Sequence, residues 1–285
     1  MNLTHTLFVK ILRRAALAPA LLLALLPARA ADEAAPALAP LDPPPADQFV
    51  FRLGAFLVTN IDTRLSLTTD SGGGGTLIDF GDTLGGETSA NIFRVDADWN
   101  IGPHLVQGAW YDISLNGHRV IDREIHWGDE IYPINAEIDS RLRTSIYKLS
   151  YGYTFHKGQR HEFTGLIGAH VMRLSTSLTI SNVGTAEGFD VTAPLPAFGV
   201  GWTAHWTDRF QTRVVAQYFG ISIDDRISGH FLDLLFAAEY RLSRHWSVGG
   251  GYNRFDLDIE ATRGPLTLHI EDSYNGFLAY VGFHF

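Results

Sequence analysis

Asp96 and Asp98, two carboxylates one residue apart, and the couple Asp258 and His269 are the residues whose types could activate a water molecule. Paired carboxylates share a proton, and a carboxylate beside a histidine lets the ring take one from water. The 12 histidines include no His-Glu-x-x-His or comparable metal spacing, so no metal is expected. The absence of cysteine removes disulfides, thiolate ligands and thiol nucleophiles. Gly72 to Gly75 is followed by neither Lys-Ser/Thr nor a helix signal, so it reads as a loop rather than a phosphate cradle, and no cofactor is expected. Whether the two acidic candidates can act depends on the elements that carry them.

Those elements are strands. From Phe285 backwards every second residue is apolar (Phe285, Phe283, Val281, Ala279, Phe277), and the residues between are small, polar or amphipathic. At the other end, Lys10, Arg13 and Arg14 precede the apolar stretch Ala15 to Leu26, and Ala28-Arg29-Ala30 fits a cleavage site, so residues 1–30 read as a signal peptide. Residues 31–48 hold Pro36, Pro40, Pro43, Pro44 and Pro45 and read as an extended tail. The signal takes four of the 22 Lys+Arg and none of the 31 acids, which leaves 18 bases, a net charge of −13 and no case for a nucleic-acid partner.

No later apolar run reaches the roughly 18 residues that a membrane helix needs. A chain of this kind that crosses a bilayer does so as a closed barrel, because only helices and closed sheets satisfy their backbone groups in lipid. Residues 49–285 resolve into ten alternating segments, beginning near Phe49, Ala90, His104, Tyr132, His161, Phe189, Arg209, Gly229, His245 and Pro265. The expected fold is an all-β, ten-stranded antiparallel barrel taller than a membrane, with eight or twelve strands as alternatives. Tight turns at Ile101-Gly102-Pro103, His156 to Arg160, Thr207-Asp208 and Ser243-Arg244 alternate with longer excursions such as Asp70 to Ser89.

Near the tight turns one face is apolar, for example Tyr147/Leu149/Tyr151/Tyr153/Phe155 and Phe198/Val200/Trp202, and is assigned to lipid. The opposite parity carries Arg52, Arg94, Lys148, Arg213 and Arg241 with Asp96, Asp98, Asp112, Asp233 and Glu239, and with His170 and His205 beside them. Five bases against five acids predict an ion-paired, closed lumen. This places Asp96 and Asp98 inside the barrel near its tight-turn end.

Further from the tight turns the faces exchange character. Leu142, Leu174, Leu178, Leu195, Phe219, Ile221, Ile223, Phe231, Leu257 and Ile270 turn inward and predict a dry core or an apolar pocket, with the Asp70 to Ser89 loop able to fold over it. A two-residue turn at Arg263-Gly264 predicts Ile259 opposite Leu268 and Leu257 opposite Ile270, with Asp258 and His269 facing outward. The first strand breaks the pattern, since Ile61, Leu65 and Leu67 keep the lipid parity unless a bulge restores the phase.

The terminal strand resembles the C-terminal signal of Gram-negative outer-membrane β-barrels, carried here by Phe277, Val281, Phe283 and the final Phe285. The resemblance implies outer-membrane localisation and the barrel-assembly machinery as a partner. Arg119, Arg123, Arg141, Arg143 and Arg173 then stand outside the wall, where outer-membrane lipids and lipopolysaccharide phosphates are expected partners; the alternative is pairing with Asp122, Glu124 and Asp139. Omptin proteases are ten-stranded outer-membrane enzymes with acidic and Asp-His pairs at the extracellular rim, and the likeness to them stops at strand count. The expected role is structural or surface-interacting. Binding or uptake of a small apolar molecule is the alternative, and an omptin-like hydrolase comes third.

Overall fold

A computed structural model of the chain describes residues 47–69, 76–127, 130–180, 186–223, 227–263 and 266–285. The signal and most of the tail lie outside them. The strands are β1 (Asp47–Thr69), β2 (Ile78–Asp79), β3 (Ala90–Ile101), β4 (His104–Val120), β5 (Ile125–Trp127), β6 (Glu130–Tyr132), β7 (Glu137–Lys157), β8 (His161–Ile180), β9 (Ala186–His205), β10 (Phe210–Ile223), β11 (Ile227–Arg241), β12 (Trp246–Arg263) and β13 (Leu266–His284). The ten long strands, all but β2, β5 and β6, pair antiparallel with their chain neighbours, and β13 pairs with β1 to close the barrel. Phe51 lies opposite Phe283 and Leu57 opposite Phe277, so the alternating C-terminal strand is the closing one. Closure pairs the first and last long strands, so their edges are not left to be satisfied by water.

The period-2 pattern explains the wall. On β7 the outward Leu149 is 64% exposed, whereas the inward Leu142 is 1% exposed. Phe93, Tyr151, Tyr153, Phe155, Ile167, Phe198 and Val200 are likewise exposed, forming an apolar belt at the tight-turn half of the barrel.

Strand one contains the bulge its pattern demands, between Val58 and Asn60. One extra residue moves the following side chains to the other face, so Ile61 and Leu65 are buried although they share the parity of the lipid-facing Leu57. Strand β4 corrects the sequence reading differently. It pairs with β7 without a register shift, and its inward residues are Tyr111, Ile113 and Leu115. Asp112 therefore points outward, where Arg143 holds it.

The β12–β13 pairing differs by two residues from expectation: Ile259 faces Ile270, and Leu257 faces Asp272. A shift of two preserves the face of every side chain, so the inward set survives the changed register. The segment beginning near Tyr132 is also corrected. Tyr132 belongs to the short β5–β6 hairpin, and the barrel strand starts at Glu137.

Candidate functional site

The lumen gathers charged and aromatic side chains in layers. Nearest the tight turns, Arg52 on β1 donates from Nη1 to Asp98 at 2.5 Å and from Nε to Glu239 at 2.7 Å. Asp98 also accepts from Arg213 Nη1 at 2.7 Å and Gln107 Nε2 at 3.1 Å. Asp98 and Arg213 stand on β3 and β10, which are five strands apart in a ring of ten, so this pair spans the barrel's diameter. Glu239 also meets Tyr280 Oη at 3.3 Å and His284 Nε2 at 3.3 Å, and that ring nitrogen lies 2.8 Å from Ser247 Oγ.

The next layer is built around Asp233. Lys148 Nζ approaches it at 2.5 Å and Asn253 Nδ2 donates to it at 2.7 Å. Arg94 binds Asp96 at 2.8 Å through Nη2 and Asn253 Oδ1 at 2.8 Å through Nη1. His170 Nε2 faces Gln217 Oε1 at 3.1 Å, and Gln217 donates on to Ser150 at 2.9 Å. Between the layers lies a polar cavity of about 50 Å³, bordered by Lys148, Arg213 and Gln217 among others. It has room for a few water molecules, each of which needs roughly 10 to 15 Å³ of such space.

Above the cations an aromatic layer crosses the lumen. Arg94 and Lys148 lie under the Tyr111 ring, at 4.9 and 5.2 Å from its centroid. Tyr111 and Tyr274 share a hydroxyl contact of 2.5 Å, and Tyr274, Phe255, Phe231 and His170 continue as a stack with centroids 4.9 to 5.9 Å apart. Beyond it Leu142, Leu174, Leu178, Leu195, Phe231, Leu257 and Ile270 are buried in one apolar cluster, with Phe219 packed at its edge. The side chains of Ile221 and Ile223 lie outside the described residues. Ile78, Phe80 and Leu84 from the first long excursion, and Ile121, Ile125 and Tyr132 from the second, complete the same cluster as a cap.

One carboxyl sits inside this core. Asp272 is 3% exposed, and its Oδ1 accepts from Thr63 Oγ1 at 2.7 Å. Burial pushes its pKa up to about 6, Thr63 opposes the rise, and the nearby Asp62 adds to it. It stands above the apolar belt, for the outward residues at its height are Asp62, Arg64, Asp256, Glu271 and Ser273.

Nine of the ten predicted lumen charges face inward; Asp112 is the exception. Arg241 is inward and buried but, among the described residues, joins no ion pair, and its Nε has no hydrogen-bond partner there. The chain's carboxylate candidates are both explained by neighbours. Asp96 is bound to Arg94 and Asp98 to two arginines, so no proton is shared between them. Asp258 and His269 meet at 3.2 Å on the outer face, as expected. Outside the wall Arg143 pairs with Asp112, Arg141 bonds Asn116 at 3.3 Å and Arg123 bonds Thr83 at 2.8 Å. The Asp139 carboxylate holds His118, whose pKa it raises. Sequence reasoning missed Gln107, Gln217, Ser247, Asn253 and Tyr111. Each is a neutral side chain on the inward parity, and extending the parity count beyond charged residues would have found them.

No protein-family model matches the chain, and a comparison with curated proteins returns no relative. Among solved structures the fold is similar to that of the outer membrane protease OmpT of Escherichia coli, with a TM-score of 0.55 at 10% identity, covering 86% of this chain and 99% of that one. The outer membrane protein OprG of Pseudomonas aeruginosa matches at TM-score 0.39 and 13% identity over 86% of this chain and 99% of its own. The toluene transporter TbuX of Ralstonia pickettii matches at 0.37 and 9% over 84% and 90%. The likeness to OmpT shows the fold, a closed antiparallel barrel of the kind found in the Gram-negative outer membrane.

Proposed function

We propose that this protein is a closed, non-conducting outer-membrane barrel that serves as a rigid anchor for a surface formed by its capped, long-loop end. The observation that carries the reading is the diametric Asp98–Arg213 contact, continued through Arg52 to Glu239, which fills the lumen with matched charge. A passing ion would have to break contacts whose partners are then left buried and unpaired, a penalty of roughly 3 to 5 kcal/mol for each broken pair. Above that layer the aromatic stack and the cap remove the remaining cross-section. The reading includes the barrel-assembly machinery as the partner of the terminal strand, and lipopolysaccharide as the neighbour of the outer arginines.

The test is electrical. Folded protein in planar bilayers should give no steady conductance, whereas replacing Asp98 and Glu239 with alanine together should produce flickering openings. Large, voltage-independent channels in the wild type would refute the closed lumen.

A further inference from the structure

The barrel wall has two places where neighbouring long strands stop pairing before their ends. Between β3 and β4 the ladder ends at Arg94–Tyr111, and the gap above is closed by the cap: Gly86 bridges Gly117, Glu87 N donates to Asn116 O at 3.0 Å, and Thr88 O accepts from Ile61 N at 2.8 Å. Between β9 and β10 the ladder ends at Phe198–Tyr218, and among the described residues no backbone fills the space above it.

The sequence causes this second seam. His205 N donates to Arg160 on the β8 side and Trp206 N to Phe210 on the β10 side, and β9 pairs with β8 without a register shift. Even-numbered residues of β9 therefore aim their N–H at β10. Pro194 and Pro196 fall on that parity, so the next two donors are missing where the register would set them against Ser222 and Gly220. The Tyr218 ring lies along the strand over Gly220, where an added Cβ would come within 2.7 Å of its hydroxyl oxygen. Behind the seam Val191, Ala193 and Phe219 are only partly buried where they pack against the core that holds the buried Leu174 and Leu178.

The seam's height is fixed by β8. Pro196 lies beside Ala169 and Pro194 beside Val171, both on the lipid face, while Thr192 lies beside Arg173. The exposed prolines thus mark the upper edge of the apolar belt, and Arg173 stands just above it on the adjoining strand. Arg143 and Arg141 have protein partners, but Arg173 has no ion pair or hydrogen bond among the described residues.

We propose that the β9–β10 seam is a docking cleft for one acyl chain of lipopolysaccharide, a phosphorylated and multiply acylated glycolipid, with Arg173 as the partner of its phosphate. This rests on the outer-membrane reading. The apolar opening at leaflet height takes the chain, and the unpaired guanidinium one strand away, roughly 5 Å in strand spacing, takes the headgroup.

The chain has no cysteine, so single cysteines report cleanly. Full-length folded protein in phosphatidylcholine vesicles is treated with a membrane-partitioning maleimide after Ala193→Cys at the seam, Thr144→Cys inside the wall away from it, or Leu149→Cys on the lipid face. Expected are slower labelling of Leu149→Cys in vesicles than in the urea-unfolded protein, because lipid disfavours the thiolate, and labelling of Ala193→Cys about tenfold faster than Thr144→Cys, because local opening governs access to both inward sites. Adding Pro194→Thr and Pro196→Thr, which restores both donors, should bring the Ala193→Cys rate down to that of Thr144→Cys. Lipid A in the vesicles should protect Ala193→Cys several-fold where equal phosphatidylglycerol does not, and Arg173→Gln should abolish the protection without altering the rate in phosphatidylcholine alone. Equal rates at Ala193→Cys and Thr144→Cys overturn the seam, and equal protection by both anionic lipids overturns lipopolysaccharide as its occupant. Labelling of Leu149→Cys in vesicles as fast as in the urea-unfolded protein instead overturns the membrane reading on which both depend.

Discussion

Replacing Asp272 with asparagine should change how the barrel's stability depends on pH, and the structure fixes the sign. The carboxyl is buried among Leu257, Ile270 and Tyr274, and the one hydrogen bond described for it comes from Thr63. Its pKa rises from 3.8 to about 6, chiefly through loss of water. The folded state therefore holds the proton more tightly than the unfolded chain. Between those values stability falls as pH rises, since proton binding differs only there. The stabilisation is complete below the unfolded pKa and lost as pH passes the folded one. The rise from 3.8 to about 6, at 1.36 kcal/mol per pH unit, amounts to roughly 3 kcal/mol. Urea unfolding of refolded protein in detergent or vesicles, followed by tryptophan fluorescence between pH 4 and pH 8, is the measurement. Asp272→Asn also alters the hydrogen bonding at Thr63, so the offset between the two proteins is not diagnostic; the slope is. The variant's advantage over wild type should grow by about 3 kcal/mol across the window and stay constant above about pH 7. Parallel profiles would show that Asp272 is ionised without cost and that water reaches it.

Three further outcomes are expected. Arg52→Met should destabilise by roughly 3 to 5 kcal/mol by stranding Glu239, and the double variant with Glu239→Met should recover much of that loss; additive costs in the unfolding cycle would refute the pairing. Leu174→Ala, at a side chain with no exposure, should cost about 2 to 5 kcal/mol in the same assay, and a cost below 1 kcal/mol would mean that the space is already open. Deleting Phe285 removes the reciprocal backbone bonds of 2.9 and 3.3 Å with Phe49, so heat-modifiable migration on cold gels should be lost or delayed, and unchanged assembly would contradict a closing role.

The strand class, the belt and the inward charges are legible in the residues alone, because side-chain direction along a strand alternates strictly and needs no knowledge of the neighbour. Parity alone put Arg52, Lys148 and Asp233 in the lumen and Leu174 in the upper core. It failed where the count slipped. The bulge at Val58–Asn60 moves Ile61 and Leu65 inward, and a bulge is a property of pairing with the next strand rather than of local residue choice. On β4 no bulge exists, and Asp112 was lost to the outer face because its charge invited a lumen assignment that its parity did not support.

Partner identity, by contrast, depends on how the strands assemble. The strand period says which way Asp98 points, but whether it meets Arg213 across the axis depends on the number of strands and their stagger, which set what lies opposite. The cap is similar, for Phe80 and Leu84 carry no periodic signal and become core only because the barrel beneath offers them an apolar surface. Pro194 and Pro196 show the division within one motif. Their missing donors are legible in the sequence, yet that they face β10 rather than β8 follows from which neighbour each N–H meets, and only the closed sheet sets that.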